Sequence, residues 1–153
     1  MLQIKTVERG FELKNAQQRV ILDEPTISLA DTVISRAGEY EAGGVEVIYG
    51  QTAALVAWDK LQIVFVFNLD KTTAFEKSQF SPCDVVVFGS SLPKLTKANF
   101  NDTLEMFDPK IVVIANKTDL SEIQPIIKVE PVESGKLASQ SLPEEGREFI
   151  VLS

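Results

Sequence analysis

Between positions 2 and 58 the apolar residues occur in short runs. Turn residues separate these runs at intervals of roughly 8–12 residues. This spacing predicts antiparallel strands joined as hairpins or as a meander. In one of them Phe11 and Leu13 flank Glu12, which is the alternation expected of a strand with one buried face. The other runs are Leu2–Ile4, Val20–Leu22, Thr32–Ile34, Val45–Ile48 and Ala53–Ala57, followed by a longer one over Gln62–Phe67.

The pattern changes after residue 70 to an alternation of strands and helices. Three consecutive valines predict a strand over Asp84–Phe88. Apolar residues at i, i+4 and i+7 predict a helix over Thr96–Phe107. The remaining predicted elements are a short helix within Thr73–Phe80 and strands over Val129–Val132 and Glu148–Leu152.

The stretch Lys110–Lys128 contains the clearest strand–turn–helix signal. Ile111–Ile114 is an unbroken run of β-branched residues, which suits a strand covered on both faces. Asp119 and Glu122 have the spacing of a capping box and predict that a helix begins there. Pro125 removes one backbone donor, so this helix should be short or bent.

A β-rich first half followed by strands and helices in alternation predicts an α/β (α+β) fold, a two-layer β-sandwich with flanking helices. One mixed sheet is the alternative, and the pattern does not choose between the two. We find no repeat, low-complexity tract or long linker, so residues 1–153 are expected to form a single domain.

Composition narrows the expected partners and location. The chain has 15 basic and 22 acidic residues and a formal charge of −7, so we expect no nucleic acid partner. No apolar run approaches the ~18 residues of a membrane helix, and the amino terminus lacks the apolar core of a signal peptide. Cys83 is the one cysteine, and it precedes an apolar strand, which favours a buried, unreactive thiol and a cytoplasmic location.

The chain contains no histidine. Histidine is the commonest metal ligand and the usual base beside a nucleophilic serine or cysteine. Its absence excludes Ser/His/Asp and Cys/His nucleophile systems as well as every histidine-based zinc site. We therefore expect no catalytic residue of these kinds, no metal ligand and no cofactor.

Three stretches together resemble the metallo-β-lactamase fold family, in particular its lactonase-like predicted zinc-dependent hydrolases. Gln18–Asp23 is similar to an early hairpin strand that ends in aspartate. Ala37–Val45 resembles the family's GPGEYE-x-GGV segment. Pro109–Ile114 with Lys117–Leu120 resembles the strand, turn and helix that follow the family's late histidine. The resemblance covers most of the chain.

The departures from this family concern its metal site. The HxHxDH metal loop should lie between the first two stretches, where this chain has only Pro25–Arg36 and no histidine. The middle metal aspartate corresponds to Asp70, and the late histidine falls near Ala115 or Asn116. The resemblance thus implies a shortened member without a metal centre, with a vestigial pocket formed by Asp23, Asp70, Asn116 and Lys117.

Other motifs allow other chemistry. Asn116–Asp119 spells the NKxD sequence that reads guanine in GTPases, but no phosphate loop accompanies it, since Gly135–Lys136 lacks the rest of that motif. Glu39 and Glu41 share one side of a strand with Tyr40 opposite, which indicates a solvated face more than an acid/base pair. Carboxylates at strand ends are ligands for Mg²⁺ or Ca²⁺, but they are also ordinary turn residues.

The sequence favours a non-catalytic metallo-β-lactamase-like domain, a pseudoenzyme that acts by binding a protein partner or by self-assembly, for example as a homodimer. One alternative is a small hydrolase or ligand-binding protein that uses strand-end carboxylates and Lys117. The other is vestigial guanine-nucleotide binding through Asn116–Asp119.

Overall fold

Two β-sheets pack face to face in the computed structural model, which describes residues 1–69, 74–90, 92 and 94–153. All pairs in the first sheet are antiparallel, and its strands lie in the order β12-β1-β2-β3-β4-β5. These strands are β1 (Leu2–Val7), β2 (Gly10–Lys14), β3 (Arg19–Asp23), β4 (Thr26–Leu29), β5 (Thr32–Ile34) and β12 (Ser134–Leu137).

The second sheet has seven described strands in the order β13-β11-β10-β9-β8-β7-β6. Its strands are β6 (Gly38–Ala42), β7 (Val45–Tyr49), β8 (Ala53–Trp58), β9 (Leu61–Val66), β10 (Val85–Phe88), β11 (Ile111–Ala115) and β13 (Glu148–Leu152). The first four along the chain pair antiparallel, whereas β9, β10, β11 and β13 run parallel. The prediction of two layers is confirmed, and the alternative of one mixed sheet is wrong.

Alternate residues of the strands fill the space between the two sheets. Phe11, Leu13 and Phe65 are fully buried there, while Glu12 lies on the outer face of the first sheet beside three cations. This is the period-2 alternation that the sequence predicts. Burial of this apolar surface is the main stabilising contribution to such a sandwich.

The described α-helices are α1 (Ala74–Phe80), α2 (Lys97–Phe107) and α3 (Gln124–Ile127), and a 3-10 turn spans Ser139–Ser141. Their buried apolar side chains, among them Phe80, Phe100 and Ile127, all pack in a second cluster on the outer face of the second sheet. β10 and β11 are therefore covered on both faces, as their unbroken apolar sequences predict. None of the described helices is long and apolar enough to cross a membrane.

The predicted helix over Thr96–Phe107 is confirmed. Thr96 is the N-cap, and its hydroxyl accepts a hydrogen bond from the Asn99 N–H at 3.1 Å. The chain leaves the helix at Asp108, which has a φ of 45° just before Pro109.

Two predicted elements differ from the structure. Asp119 does not begin a helix, since α3 starts only at Gln124 after the N-cap Ile123, and Glu122 accepts instead from the Lys97 N–H at the start of α2. The helix is short, as predicted, since α3 is four residues long, but Pro125 lies in its first turn and so removes no helical hydrogen bond. The strand predicted over Val129–Val132 is also wrong, because the strand in this region is β12.

Candidate functional site

The candidate site is one edge of the sandwich, which we call the strand-end edge. The parallel strands β9, β10, β11 and β13 all end there, so the residues after Val66, Phe88, Ala115 and Leu152 gather on one side of the molecule. Folds with parallel strands bind their ligands at this kind of edge. The first sheet contributes the β1–β2 turn at Glu8 and the β3–β4 turn at Glu24.

Asp23 is the last residue of β3 and lies at this edge. Its Oδ2 is 3.3 Å from Nη2 of Arg9, and its Oδ1 is buried with no hydrogen-bond partner among the described residues. The Arg9 side chain is 76% exposed, so solvent screens this ion pair and its contribution to stability is small. Sequence reasoning missed Arg9, because nothing in the β1–β2 turn indicates contact with β3.

Asn116 and Lys117 follow β11 and are exposed at the same edge. The backbone N–H of Asn116 donates to the Leu152 carbonyl at 2.8 Å, and Nζ of Lys117 donates to the Glu8 carbonyl at 3.1 Å. Asp23 and Lys117 are thus held to the same β1–β2 turn, but no hydrogen bond or ion pair between described residues joins them. Asp70 lies outside the described residues, so the four-residue vestigial pocket stays a prediction.

A second carboxylate from the first sheet covers the end of β10. A Cβ atom built on Gly89 would lie 2.3 Å from Oε1 of Glu24, so the carboxylate rests directly on the glycine backbone. Pro25, the next residue of the β3–β4 turn, is also anchored, because its carbonyl accepts a hydrogen bond from the Tyr49 hydroxyl. Burial raises the pKa of Tyr49 above its ordinary value. Sequence reasoning missed these contacts, for which no local pattern exists.

Glu76 of α1 has a fully buried carboxylate that fastens the loop between β7 and β8. It accepts from the Thr52 N–H at 3.0 Å, from the Ala53 N–H at 2.6 Å and from the Thr52 hydroxyl at 2.9 Å. The Thr52 carbonyl in turn accepts from the backbone N–H groups of Phe67 and Asn68. This buried carboxylate therefore links α1 to the loop and to the end of β9.

The NKxD segment forms an exposed turn. Asp119 Oδ1 accepts from the Ser121 N–H at 3.1 Å and from the Ser121 hydroxyl at 2.8 Å. These hydrogen bonds hold the pKa of Asp119 below its ordinary value. The carboxylate that would read guanine is thus used as a local turn cap.

The donor set at the strand-end edge does not fit the zinc site of the metallo-β-lactamase family. The described residues contain no group of three or more His, Cys, Asp or Glu side chains that could hold a metal ion. Asp23 faces Arg9, and Cys83 lies before the start of β10, away from this edge, where burial raises the pKa of its thiol above the ordinary value. A catalytic zinc needs three protein ligands and an open position.

A shallow pocket of about 290 Å³ lies farther along the strand-end edge, beside the outermost strand β6. Its lining is mostly apolar and comes from the start of β6 and the end of β7: Ala37, Gly38, Glu39, Ile48, Tyr49, Gly50 and Gln51. Asp23, Asn116 and Lys117 do not line it. Glu39 and Glu41 are exposed on one side of β6, and Tyr40 packs on the inner side, which confirms the predicted alternation.

No protein-family model matches this chain. No curated protein matches it either. Among solved structures it is similar to a crystal structure from Thermotoga maritima, described as a predicted zinc-dependent hydrolase of the metallo-β-lactamase superfamily. That match has a TM-score of 0.75 at 12% sequence identity and covers 99% of each chain. At this identity the likeness concerns the fold.

Proposed function

Because the chain has the metallo-β-lactamase fold, we propose that it is a non-catalytic member of that architecture, which acts by binding a protein partner or by self-assembly. The observation that carries this proposal is the donor set of the strand-end edge. The fold's hydrolytic chemistry depends on a metal that lowers the pKa of bound water. This chain has no histidine, and its described residues offer no metal-binding group.

The contacts that close the edge support the same proposal. Arg9 faces Asp23, Lys117 binds the Glu8 carbonyl, and the Glu24 carboxylate rests on Gly89. The two cations are thus bonded to groups of the protein itself, and the Glu24 carboxylate is packed against backbone. Such contacts suit a structural edge more than a substrate pocket, which needs convergent polar groups around a cavity.

The first experiment measures metal content and hydrolysis. Protein produced in zinc-supplemented medium should contain less than stoichiometric metal, and zinc or chelator should leave its melting temperature unchanged. It should not hydrolyse esters, lactones or phosphodiesters. Stoichiometric zinc together with chelator-sensitive hydrolysis would contradict the proposal.

The second experiment separates the two modes of action. Sedimentation velocity across micromolar to millimolar concentrations should reveal a homodimer if the chain self-assembles, because dimer population follows mass action. A concentration-independent monomer would leave binding to a different protein as the mode of action.

A further inference from the structure

β6 is the outermost strand of the second sheet, and among the described residues one of its edges pairs with no other strand. Gly43 and Gly44 join it to β7 with φ values of 59° and 83°, which fit a two-residue type I′ turn. In such a hairpin the closing residues, Ala42 and Val45, form a hydrogen-bonded pair. Hydrogen-bonded pairs then recur at every second position.

The free edge presents the backbone of Glu39 and Glu41. Counting from Ala42 in steps of two, Tyr40 and Gly38 are the residues that bond to β7. The N–H and C=O groups of Glu39 and Glu41 therefore point away from the sheet, and no described segment outside the sheet bonds to them. An unpaired row of this kind is a template for a further strand.

The side chains along this edge are acidic. Glu39 and Glu41 lie on the outer face of the sheet, and Glu46 of β7 is directly opposite Glu41. All three are exposed, and none takes part in an ion pair between described residues. The formal charge of the chain is −7, so local and net charge both favour a cationic ligand at this edge.

The apolar pocket described above lies at one end of the same row. Ala37, which lines it, precedes Glu39 by two residues. On a strand added to β6, residues that face Glu41, Glu39 and Ala37 would alternate along the added chain and share one side of it. An apolar side chain at the third of these positions would lie over the pocket and reach Ile48, which is on the outer face of the sheet.

We propose that the free edge of β6 binds an extended segment of a partner protein as an additional strand. The segment carries Lys or Arg at two alternate positions, opposite Glu39 and Glu41, and an apolar residue at the next alternate position. Backbone hydrogen bonds supply part of the affinity, and the two cations and the pocket supply the selectivity. This inference rests on the proposed function, because it names the surface and the partner chemistry of a binding domain.

A second copy of this chain does not satisfy the same edge. Pairing β6 with β6 of another copy about a two-fold axis would bring Glu39 and Glu41 of the two copies onto one face as neighbours. Like charges in cross-strand positions are destabilising. Two molecules of charge −7 also repel each other, so a cationic segment is the better occupant.

The test uses the full isotope-labelled chain and two heptapeptides, Thr-Lys-Thr-Lys-Thr-Leu-Thr and the same sequence reversed, so that both strand directions are sampled. We expect one peptide to shift the backbone amide resonances of Glu39, Glu41 and Ile48. The double variant E39Q/E41Q should weaken binding about 5- to 10-fold, the loss expected of two exposed charge pairs. The matched variant E144Q/E145Q changes the net charge equally in an exposed loop and should leave binding unchanged.

Backbone methylation separates strand addition from simple charge attraction. In antiparallel addition the lysine N–H groups face β6, and in parallel addition the N–H groups of the intervening threonines do. N-methylation of one of these two sets should therefore abolish binding, and N-methylation of the other should not. Insensitivity to both would overturn the proposal, because charge alone would then account for the interaction.

Three other results would also overturn the proposal that β6 binds an additional strand. These are no resonance shifts, shifts confined to residues outside β6 and β7, or a weakening of peptide binding by E144Q/E145Q equal to that by E39Q/E41Q. These failures are distinct from a failure of the proposed function. Zinc-dependent hydrolysis would contradict the proposed function whatever the peptides do. If the protein contains no metal and has no hydrolase activity but does not bind either peptide, only this inference is wrong and the proposed function stands.

Discussion

The carboxylate of Glu24 lies so close to Gly89 that a Cβ atom on residue 89 would be 2.3 Å from Oε1. Glu24 belongs to the first sheet and Gly89 follows β10 of the second, so this contact joins the two sheets at the strand-end edge. The carbonyl of Val66 lies 3.0 Å from the same Cβ position. A methyl group at residue 89 would therefore force the carboxylate to move and would be in tight contact with this carbonyl.

Substitution of Gly89 by alanine should displace the Glu24 carboxylate and lower the free energy of unfolding by about 1–2 kcal/mol, a typical cost of overpacking. The effect should depend on Glu24. In a double-mutant cycle with E24A and G89A, the double variant should be more stable than the sum of the single effects predicts. Urea unfolding of the four proteins measures this, and additive effects would mean that the contact is not formed.

Glu76 is the second carboxylate on which this part of the fold depends. Substitution by alanine should lower the free energy of unfolding by about 2–4 kcal/mol, because two buried N–H groups lose their acceptor. Substitution by glutamine keeps one acceptor oxygen and should cost less. Lys77 is exposed on the same helix, so K77A is the control and should be nearly neutral. Equal effects of E76A and K77A in urea unfolding would contradict the prediction.

Periodicity accounts for most of the fold that could be predicted. The i, i+4 and i+7 spacing of Phe100, Leu104 and Phe107 places these side chains on one face of α2, and all three are buried. The β-branched run that became β11 is likewise covered on both faces. These elements could be predicted because their burial follows from the order of residues along the chain.

The errors arise where distant segments decide the outcome. The Ser134–Leu137 sequence lacks β-branched and aromatic residues, yet it forms β12 because it pairs with β1 at the edge of the first sheet. Glu122 has the spacing of a capping box with Asp119, but the free N–H of Lys97 in α2 is its partner. Local patterns carry no information about either contact.

Contacts between distant segments also decide which residues of the candidate site could be predicted. Lys117 follows a strand of the parallel part of the second sheet, so its location at this edge follows from the order of elements. Asp23 ends a strand of the antiparallel first sheet, where strand ends alternate between two edges, so its location does not follow from that order. Arg9 reaches that edge through a contact between the β1–β2 turn and the end of β3, and Glu24 and Gly89 meet there through a contact between the sheets. Neither the β1–β2 turn nor the β3–β4 turn has a sequence signature for such contacts, and they could not be predicted.

The exposed cations at the edge should contribute little to stability. Arg9 is 76% exposed in its pair with Asp23, and Lys117 is exposed where it binds a carbonyl. Substitution of either by alanine should change the free energy of unfolding by less than about 1 kcal/mol, because water and salt screen such contacts. Thermal unfolding at low and high salt measures this. A large loss that salt does not reduce would indicate a buried role for these cations.

The final prediction concerns the pH dependence of stability and depends on Cys83. Burial raises the pKa of this thiol far above its ordinary value, and the nearby Asp84 carboxylate raises it further. Above about pH 9 the unfolded thiol loses its proton while the folded thiol keeps it, so the native state binds more protons than the unfolded state. The free energy of unfolding should therefore fall as the pH rises above 9.

The free energy of unfolding should fall less steeply with pH in C83A, which lacks the thiol. Urea unfolding between pH 7 and pH 10 measures both slopes, and identical slopes would mean that the thiol is not protected. Consistent with the same protection, an alkylating reagent at pH 8 should modify Cys83 in the folded protein far more slowly than in urea.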